Sequence, residues 1–359
     1  MEKKFHLSNY DFDLPKELIA QYPLKNRSES RLLVVDRIKK IFFETRFRDI
    51  HNFIPGNSVV VFNQSKVIPA RIFGKKRSTG ARIEFLLLTP LPLLKVHKQG
   101  NWNLSVVKGL LRPLKRLKPG DIVLFSDDFF LKIKKKFEFG RCEVELFWKA
   151  NLFELLNKFG TMPLPPYIKR NPELQDFVRY QTVFAKDEKA GSVAAPTAGL
   201  HFDNEVIKKL KEKNIDLAFI TLYVGAGTFE PVRCEDIREH KMHEEYVEID
   251  FETARKIRCA RENNYPIVAV GTTSVRTLEG VYQKIGELDE YKGWIDLYIY
   301  PGFKFHVIDH MITNFHLPRS SLLLLVSAFA GRDLILSAYE YAIKNKFRFF
   351  SYGDCMLIL

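Results

Sequence analysis

Residues 267–279, IVAVGTTSVRTLE, run from four consecutive apolar residues through a glycine into three small hydroxyl side chains and an arginine. An unbroken apolar run of this kind predicts a strand buried on both faces over 267–271. The helical spacing of Val275, Leu278, Val281, Tyr282 and Ile285 predicts a helix over 272–285. A buried strand that passes through glycine directly into a helix is the βα unit of a parallel sheet. ITLYVGAGTFEPV repeats the pattern: a buried strand over 215–224 ends in Gly225, Gly227, Thr228, Phe229 and Glu230. Working outward, strands are predicted at 32–35 and 58–62, and helices near 16–21 and over 205–213 and 253–264. A long, largely buried helix is expected over 322–344, and the final FRFFSYGDCMLIL reads as strand-like. The expected fold class is α/β, a mostly parallel sheet with helices on both faces, and ligands of such sheets bind outside the carboxyl ends of the strands.

The pattern differs between Val67 and Trp148. ARIEFLLL, NWNLSVVKG, GDIVLF, FFLKIKKKF and GRCEVELFW alternate apolar with polar residues and are parted by glycine, proline or Asp-Asp turns. Five or more such strands at short spacing predict a small antiparallel barrel-like domain, inserted over 66–150 into an α/β catalytic domain formed by 1–65 and 151–359. The insertion is also where the charge lies. Residues 66–149 hold 19 Lys and Arg against 7 Asp and Glu, an excess of 12 in a chain whose net charge is +13. Charge concentrated in this way points to a polyanionic partner, whereas a generally lysine-rich composition would spread it over the whole surface.

Several function classes are disfavoured. With 46% hydrophobic and 28% charged residues the chain has the proportions of a soluble globular protein, and no repeat is visible. The first residues lack an apolar leader, and the longest apolar run, 322–330, is well short of the roughly 18 residues of a membrane span. A cytosolic location is therefore expected. The four cysteines (Cys142, Cys234, Cys259, Cys355) show no metal or disulfide spacing. There is no G-x-x-x-x-G-K-[ST], and GAGTFE lacks the third glycine of the dinucleotide fingerprint.

Candidate site residues stand at the ends of the predicted elements. GSVAAPTAGLHF (191–202) is too rich in glycine, proline and alanine for a regular element; it reads as a tight loop carrying Ser192, Thr197, Gly199 and His201, or as a plain connection. Thr272, Thr273 and Ser274 open a helix, where they either cap its N–H groups or share them with an anionic ligand. Arg276 in that first turn opposes the helix dipole and suggests an anion nearby. REHKMHEEYVEID gathers His240, His243, Glu244 and Glu245 just before a further expected strand; without HExxH or a third ligand no metal is expected, and acid or base work is the favoured reading. TNFHLPRSSLLLL places Asn314, His316 and Arg319 before a buried helix.

Taken together, AAPTAGLHF, YVGAGTFEPV, EHKMHEEY, VGTTSVRTLE, TNFHLPRSSLLLLVSAFAG and the terminal YGDCMLIL, with SRLLVVD and VVFNQSKVIPARIFG near the start, resemble the S-adenosylmethionine:tRNA ribosyltransferase-isomerase family of queuosine biosynthesis. The resemblance runs from about Tyr10 to Leu359. It implies transfer of the ribosyl group of S-adenosylmethionine, a cosubstrate, to 7-aminomethyl-7-deazaguanine at the wobble position of tRNAs with GUN anticodons, releasing adenine and methionine. Glu230, His243, Glu244 and Glu245 are the candidates for proton transfer, with His201 and His316 as rivals. Thr197, Gly199, Gly225, Gly227, Thr228, Phe229, Thr272, Thr273, Ser274, Asn314 and one of Arg276 or Arg319 would hold the cosubstrate. Asn63, Lys66 and Arg71 at the domain junction, with Lys132, Lys134, Lys135 and Lys136, would meet the RNA. No metal, no membrane and a monomer are expected. A noncatalytic tRNA-binding protein and an S-adenosylmethionine-dependent tRNA methyltransferase are the alternatives.

Overall fold

A computed structural model describes residues 3–225 and 231–359. Gly227, Thr228, Phe229 and Glu230, candidates for the site, lie outside the described residues. Apolar runs and alternations in the sequence sort into two large sheets, with Lys66–Val67 and Ala190–Ser192 forming a further two-stranded one. The larger has nine strands in the order Tyr291–Ile295, Glu245–Ile249, Asp216–Leu222, Val59–Asn63, Ile267–Val270, His310–Asn314, Cys355–Ile358, Arg31–Asp36 and Ile41–Arg46. It is mixed. The four strands from Asp216–Leu222 to His310–Asn314 run parallel, as does the pair Arg31–Asp36 with Cys355–Ile358, and the other neighbours pair antiparallel. Parallel strands buried on both faces explain the unbroken VVVFN and IVAV runs at its centre.

Side chains alternate across this sheet. Val59 and Val61 meet the layer built from Phe251–Glu262, Gly271–Ile285, Ser321–Ala330 and Arg332–Lys344, whereas Val60 and Phe62 meet Asn204–Glu212 and the 3₁₀ turn Phe47–Asn52. Helices therefore cover both faces. Three strands, Ile41–Arg46, Tyr291–Ile295 and His310–Asn314, lie outside the expected set. The first two are edge strands with mostly exposed or half-buried residues, so neither carries the apolar run that marks a buried strand. The third is buried, but its HMITN sequence holds only two strongly apolar residues.

Two predicted helices differ from the observed elements. The expected helix over 322–344 is two helices, Ser321–Ala330 and Arg332–Lys344, meeting at 115°. Gly331, at φ 88°, makes the break: that conformation ends one helix and would strain any residue with a Cβ. Among the described residues no single helix is long and apolar enough to cross a membrane. Near 16–21 there is only the 3₁₀ turn Lys16–Leu18, because Ile19 is extended and bridges Phe349 while the Ala20 N–H donates to the Phe349 carbonyl. A tertiary strand contact takes the backbone that a helix would need.

The second sheet closes on itself. Arg71–Lys76, Arg82–Leu87, Trp102–Arg112, Arg141–Trp148, Phe129–Lys136 and Ile122–Ser126 pair antiparallel in that circular order, the last returning to the first. The result is a six-stranded barrel filled by the inward residues of each alternation, among them Ile72, Phe85, Val107, Leu131 and Val144. The helix Leu152–Phe159, capped by the Asn151 side chain on the Phe153 and Glu154 N–H groups, adds Leu152 and Leu156 to the same core.

Candidate active site

Three of the polar strand tips converge. A cleft of about 700 Å³, counting the space open to solvent, is lined by residues 194–198, by Gly271, Thr272 and Thr273, and by residues 313–317. Tyr167, Val224 and Ser351 also stand in the wall, with Ser320, Leu322 and Phe350.

The loop 191–202 is held there by its own polar groups. Buried Ser192 donates to Ser65 Oγ at 2.9 Å and accepts the Val224 N–H at 3.1 Å, and the Val193 N–H donates to the Val224 carbonyl. This ties the loop to the carboxyl end of the neighbouring strand. Gly199 is set by packing, since a Cβ there would stand 2.8 Å from both Phe184 Cζ and Thr182 Cγ2.

The helix Gly271–Ile285 presents its N-terminus to the cleft. Its Gly271 has φ 84°, a conformation open to glycine, and no side chain caps the first turn. Uncapped N–H groups at the positive end of a 15-residue helix are left for a ligand. Thr272 and Thr273 are nearly buried beside them, and Thr273 Oγ1 has no hydrogen-bond partner among the described residues. Ser274 is otherwise employed, donating to the Val270 carbonyl at 2.8 Å within its own helix.

On the facing wall, Asn314 donates to the Phe350 carbonyl at 3.0 Å and to His201 Nε2 at 3.1 Å. Its own Oδ1 is buried and unpartnered. Since His201 Nε2 accepts, its proton is on Nδ1, which donates to Ser30 Oγ at 2.8 Å. His201 thus orients Asn314 from behind and does not line the cleft. His316 does line it: Nε2 lies 3.3 Å from Thr313 Oγ1, the backbone N–H donates to the Tyr339 hydroxyl, and Nδ1 has no partner. Three buried polar atoms, Thr273 Oγ1, Asn314 Oδ1 and His316 Nδ1, are therefore unpaired around one cavity. Leaving each so costs about 1–3 kcal/mol unless a ligand or water satisfies it.

Burial pushes both imidazoles down to about 3, with the Arg348 charge adding to the effect at His201. Neither histidine is protonated near neutrality, and neither is a strong base. The shift has a stability consequence. Unfolded histidines take up protons below about pH 6.5 while the folded ones stay neutral, so stability is fully present above that pH and is lost as pH falls toward 3. Each histidine contributes up to about 1.4 kcal/mol per pH unit. Urea unfolding of wild type and His316→Gln at pH 7 and pH 5 checks this: the wild type is expected to lose more stability, and equal losses would refute the assignment.

Other candidates lie elsewhere. Arg276 and Glu245 form a buried ion pair, with Arg276 Nε also donating to the Leu297 carbonyl and Glu245 Oε1 accepting the Gly225 N–H at 3.1 Å. The anion expected beside Arg276 is this carboxylate of the chain itself. Arg319, at φ 57°, pairs with Asp11 at 3.6 Å and is not among the residues lining the cleft. Glu244 is exposed, and His243 Nε2 accepts from Arg141 Nη2 of the barrel at 2.5 Å. Asn63 is buried and bridges strands through the Leu222 N–H and carbonyl; Lys66 pairs with Asp187, and Arg71 with Glu84 at 3.3 Å. Lys132 and Lys134 stand on the barrel's outer face 4.0 and 3.5 Å from Glu145 and Glu143, Lys136 donates to the Leu117 carbonyl, and Lys135 is exposed.

Thr313, the first residue of the TNFH string, lines the cleft too, as do Tyr167 and Ser351, which come from irregular segments 184 residues apart and are joined by a 2.7 Å hydroxyl contact. No local pattern announces such a pair.

Comparison with known proteins shows the family. The family model described as Queuosine biosynthesis protein matches residues 7–358. S-adenosylmethionine:tRNA ribosyltransferase-isomerase of Nitratidesulfovibrio vulgaris (strain DP4) is 51% identical, covering 99% of this chain and 97% of its own. The protein of the same name from Halothermothrix orenii is 47% identical, covering 98% and 99%. The crystal structure of S-adenosylmethionine tRNA ribosyltransferase from Thermotoga maritima is 36% identical and matches 98% of this chain and all of its own, with a TM-score of 0.55. With its motifs, its mixed sheet and barrel, and a family match spanning residues 7–358, the chain belongs to the queuosine biosynthesis protein family.

Proposed function

We propose that this chain catalyses the reaction for which its relatives are named, moving the ribosyl group of S-adenosylmethionine to 7-aminomethyl-7-deazaguanine at the wobble position of tRNAs with GUN anticodons. The product is epoxyqueuosine in tRNA. A cytoplasmic monomer without a metal fits this reading. The observation that carries it is the cleft: among the described residues its lining holds no charged side chain but offers three unpaired polar atoms and a helix N-terminus. The helix N-terminus suits the carboxylate of the cosubstrate's methionine moiety, and the unpaired polar atoms suit its sugar and base.

The chemistry needs protons moved at defined places. The sulfonium acidifies the adjacent C5′ hydrogens, and a base takes one. The carbanion pair becomes a C4′–C5′ double bond as the C4′–O4′ bond breaks, O4′ becomes the carbonyl oxygen of a C1′ aldehyde, and adenine leaves with its glycosidic electron pair and is protonated. The neutral aminomethyl nitrogen adds to C4′ and loses a proton, the carbanion restored at C5′ closes a carbocycle on C1′, and the alkoxide so formed displaces methionine from C5′ as an uncharged thioether, leaving the epoxide. General acid or base help at such steps is worth about 10² to 10⁴ in rate. Within the cleft, Thr272, Thr273 and the first N–H groups of their helix bind and orient the cosubstrate, and Asn314 Oδ1 and His316 Nδ1 accept or share its hydrogen bonds. Thr197 lies on the same wall. Because both histidines are weak bases, the proton-transfer role falls to Glu230, which lies six residues beyond Val224 in the chain.

We propose the inserted barrel of 66–150 as an RNA-facing unit. Reversing Lys132, Lys134, Lys135 and Lys136 together is expected to weaken tRNA binding and to flatten its salt dependence by about 0.7–0.9 in log–log slope for each phosphate no longer neutralised. Unaltered affinity would remove this face from the interface. The reaction itself is tested by mass spectrometry of tRNA carrying the aminomethyl base after incubation with S-adenosylmethionine. A ribosyl-derived adduct with free adenine is expected; a methyl adduct or an unchanged tRNA would refute the reading.

A further inference from the structure

A second, smaller cleft lies beside the first and shares Ser351 with it. It is lined by Arg27, Arg179 and Arg348, together with Ser30, His201 and Tyr352, and spans about 280 Å³ including solvent-open space. All three guanidiniums are half-buried, and all hydrogen-bond to backbone carbonyls. Arg27 donates to Val178, Arg179 and Leu200; Arg179 to Lys25; Arg348 to Tyr22 and Tyr352. None forms an ion pair among the described residues, unlike Arg31, Arg170, Arg258 and Arg276. Carbonyl partners fix the three side chains in place without supplying a counter-charge. Arg179 Nε is buried without a partner. Burial, with the neighbouring Arg179 charge, pushes Arg27 down to about 10 against the smaller opposing effects of Tyr352 and Asp203.

We propose that this cleft binds a phosphate of the tRNA backbone next to the wobble nucleotide, while that nucleotide's base occupies the main cleft. The inference rests on the reaction proposed above. Among the described residues the main cleft has no cationic side chain, whereas the second cleft has three, and the two are separated by the His201–Asn314 hydrogen bond and Ser351, so a nucleotide whose base enters the first can set its phosphate in the second. Three planar forks suit the several oxygens of a phosphate. The cleft also opens beside exposed Tyr22 and Lys25, as a backbone passing across the surface requires.

The test uses the full chain and an anticodon stem-loop, either all-phosphate or carrying one uncharged methylphosphonate beside the wobble nucleotide. Wild type is expected to bind the methylphosphonate stem-loop about tenfold more weakly than the all-phosphate one. Arg179→Gln and Arg348→Gln are expected to bind both equally, with a salt slope shallower by about 0.7. S-adenosylmethionine binding without RNA should match wild type in both variants, and Arg179→Lys should recover part of the RNA affinity. Loss of S-adenosylmethionine binding instead would mean that the arginines hold the methionine carboxylate, and the proposal falls. Equal discrimination of the two stem-loops by variants and wild type would overturn it too. Where a variant melts early, wild type alone decides: no methylphosphonate effect at either neighbouring phosphate refutes the site. Failure of the reaction reading is seen separately, as wild type that binds the stem-loop but releases no adenine.

Discussion

Replacing Glu245 by Ala is expected to destabilise the fold by roughly 3–5 kcal/mol, the cost of stranding a buried charge. The Arg276 and Glu245 side chains are 5% and 6% exposed, so water cannot take over for the missing carboxylate. Arg276 Nη2 already lacks a partner, and the same carboxylate holds the Gly225 N–H at the start of the strand tip. Arg276→Met combined with Glu245→Leu should cost much less than the two single changes added together, because removing both charges leaves neither unpaired. Urea denaturation of the four proteins measures this coupling. Additive losses would contradict a structural ion pair, and a Glu245→Gln protein of normal stability but no turnover would return Glu245 to the proton-transfer candidates.

Glu230→Gln is the substitution expected to affect turnover most, lowering adenine release by about 10² to 10⁴ with S-adenosylmethionine and tRNA affinities unchanged. The other candidates are occupied or unsuited. Glu244 is exposed, Glu245 is tied to Arg276, and His243 accepts from Arg141. His201 and His316 are held neutral by burial. Single-turnover adenine release, measured alongside equilibrium binding of each substrate, tests the role of Glu230. A variant that releases adenine at the wild-type rate would exclude it, and one that loses affinity would make it a binding residue.

Much of the scaffold is legible in the sequence because its residues obey local rules. IVAV followed by Gly271 announces strand, turn and helix together, and the barrel strands alternate strictly, as Arg141–Trp148 shows. Gly331 and the acidic Asp333 two residues later are the signs that 322–344 is not one helix, but the long apolar run masks them. The site is legible as motifs and less so as roles. Thr273, Asn314 and His316 meet at the cleft as their positions at element ends suggest. Arg276 does need an anion, as its place in a helix's first turn implies, but its partner stands 31 residues earlier, on a strand that only the folded sheet brings alongside. Asn63, Lys66 and Arg71 likewise have polar partners inside the chain, so their polarity carries no information about RNA. Tertiary pairing decides such cases, and no window of sequence contains it.

The cavity between residues 194–198, the start of the Gly271–Ile285 helix and residues 313–317 is where the cosubstrate should bind. A crystal structure with bound S-adenosylmethionine tests this most directly. The nucleoside should lie against Thr273 Oγ1, Asn314 Oδ1 and His316 Nδ1, filling the three unpaired positions; a nucleoside bound in the arginine cleft or on the barrel, with those atoms still unpartnered, would contradict it.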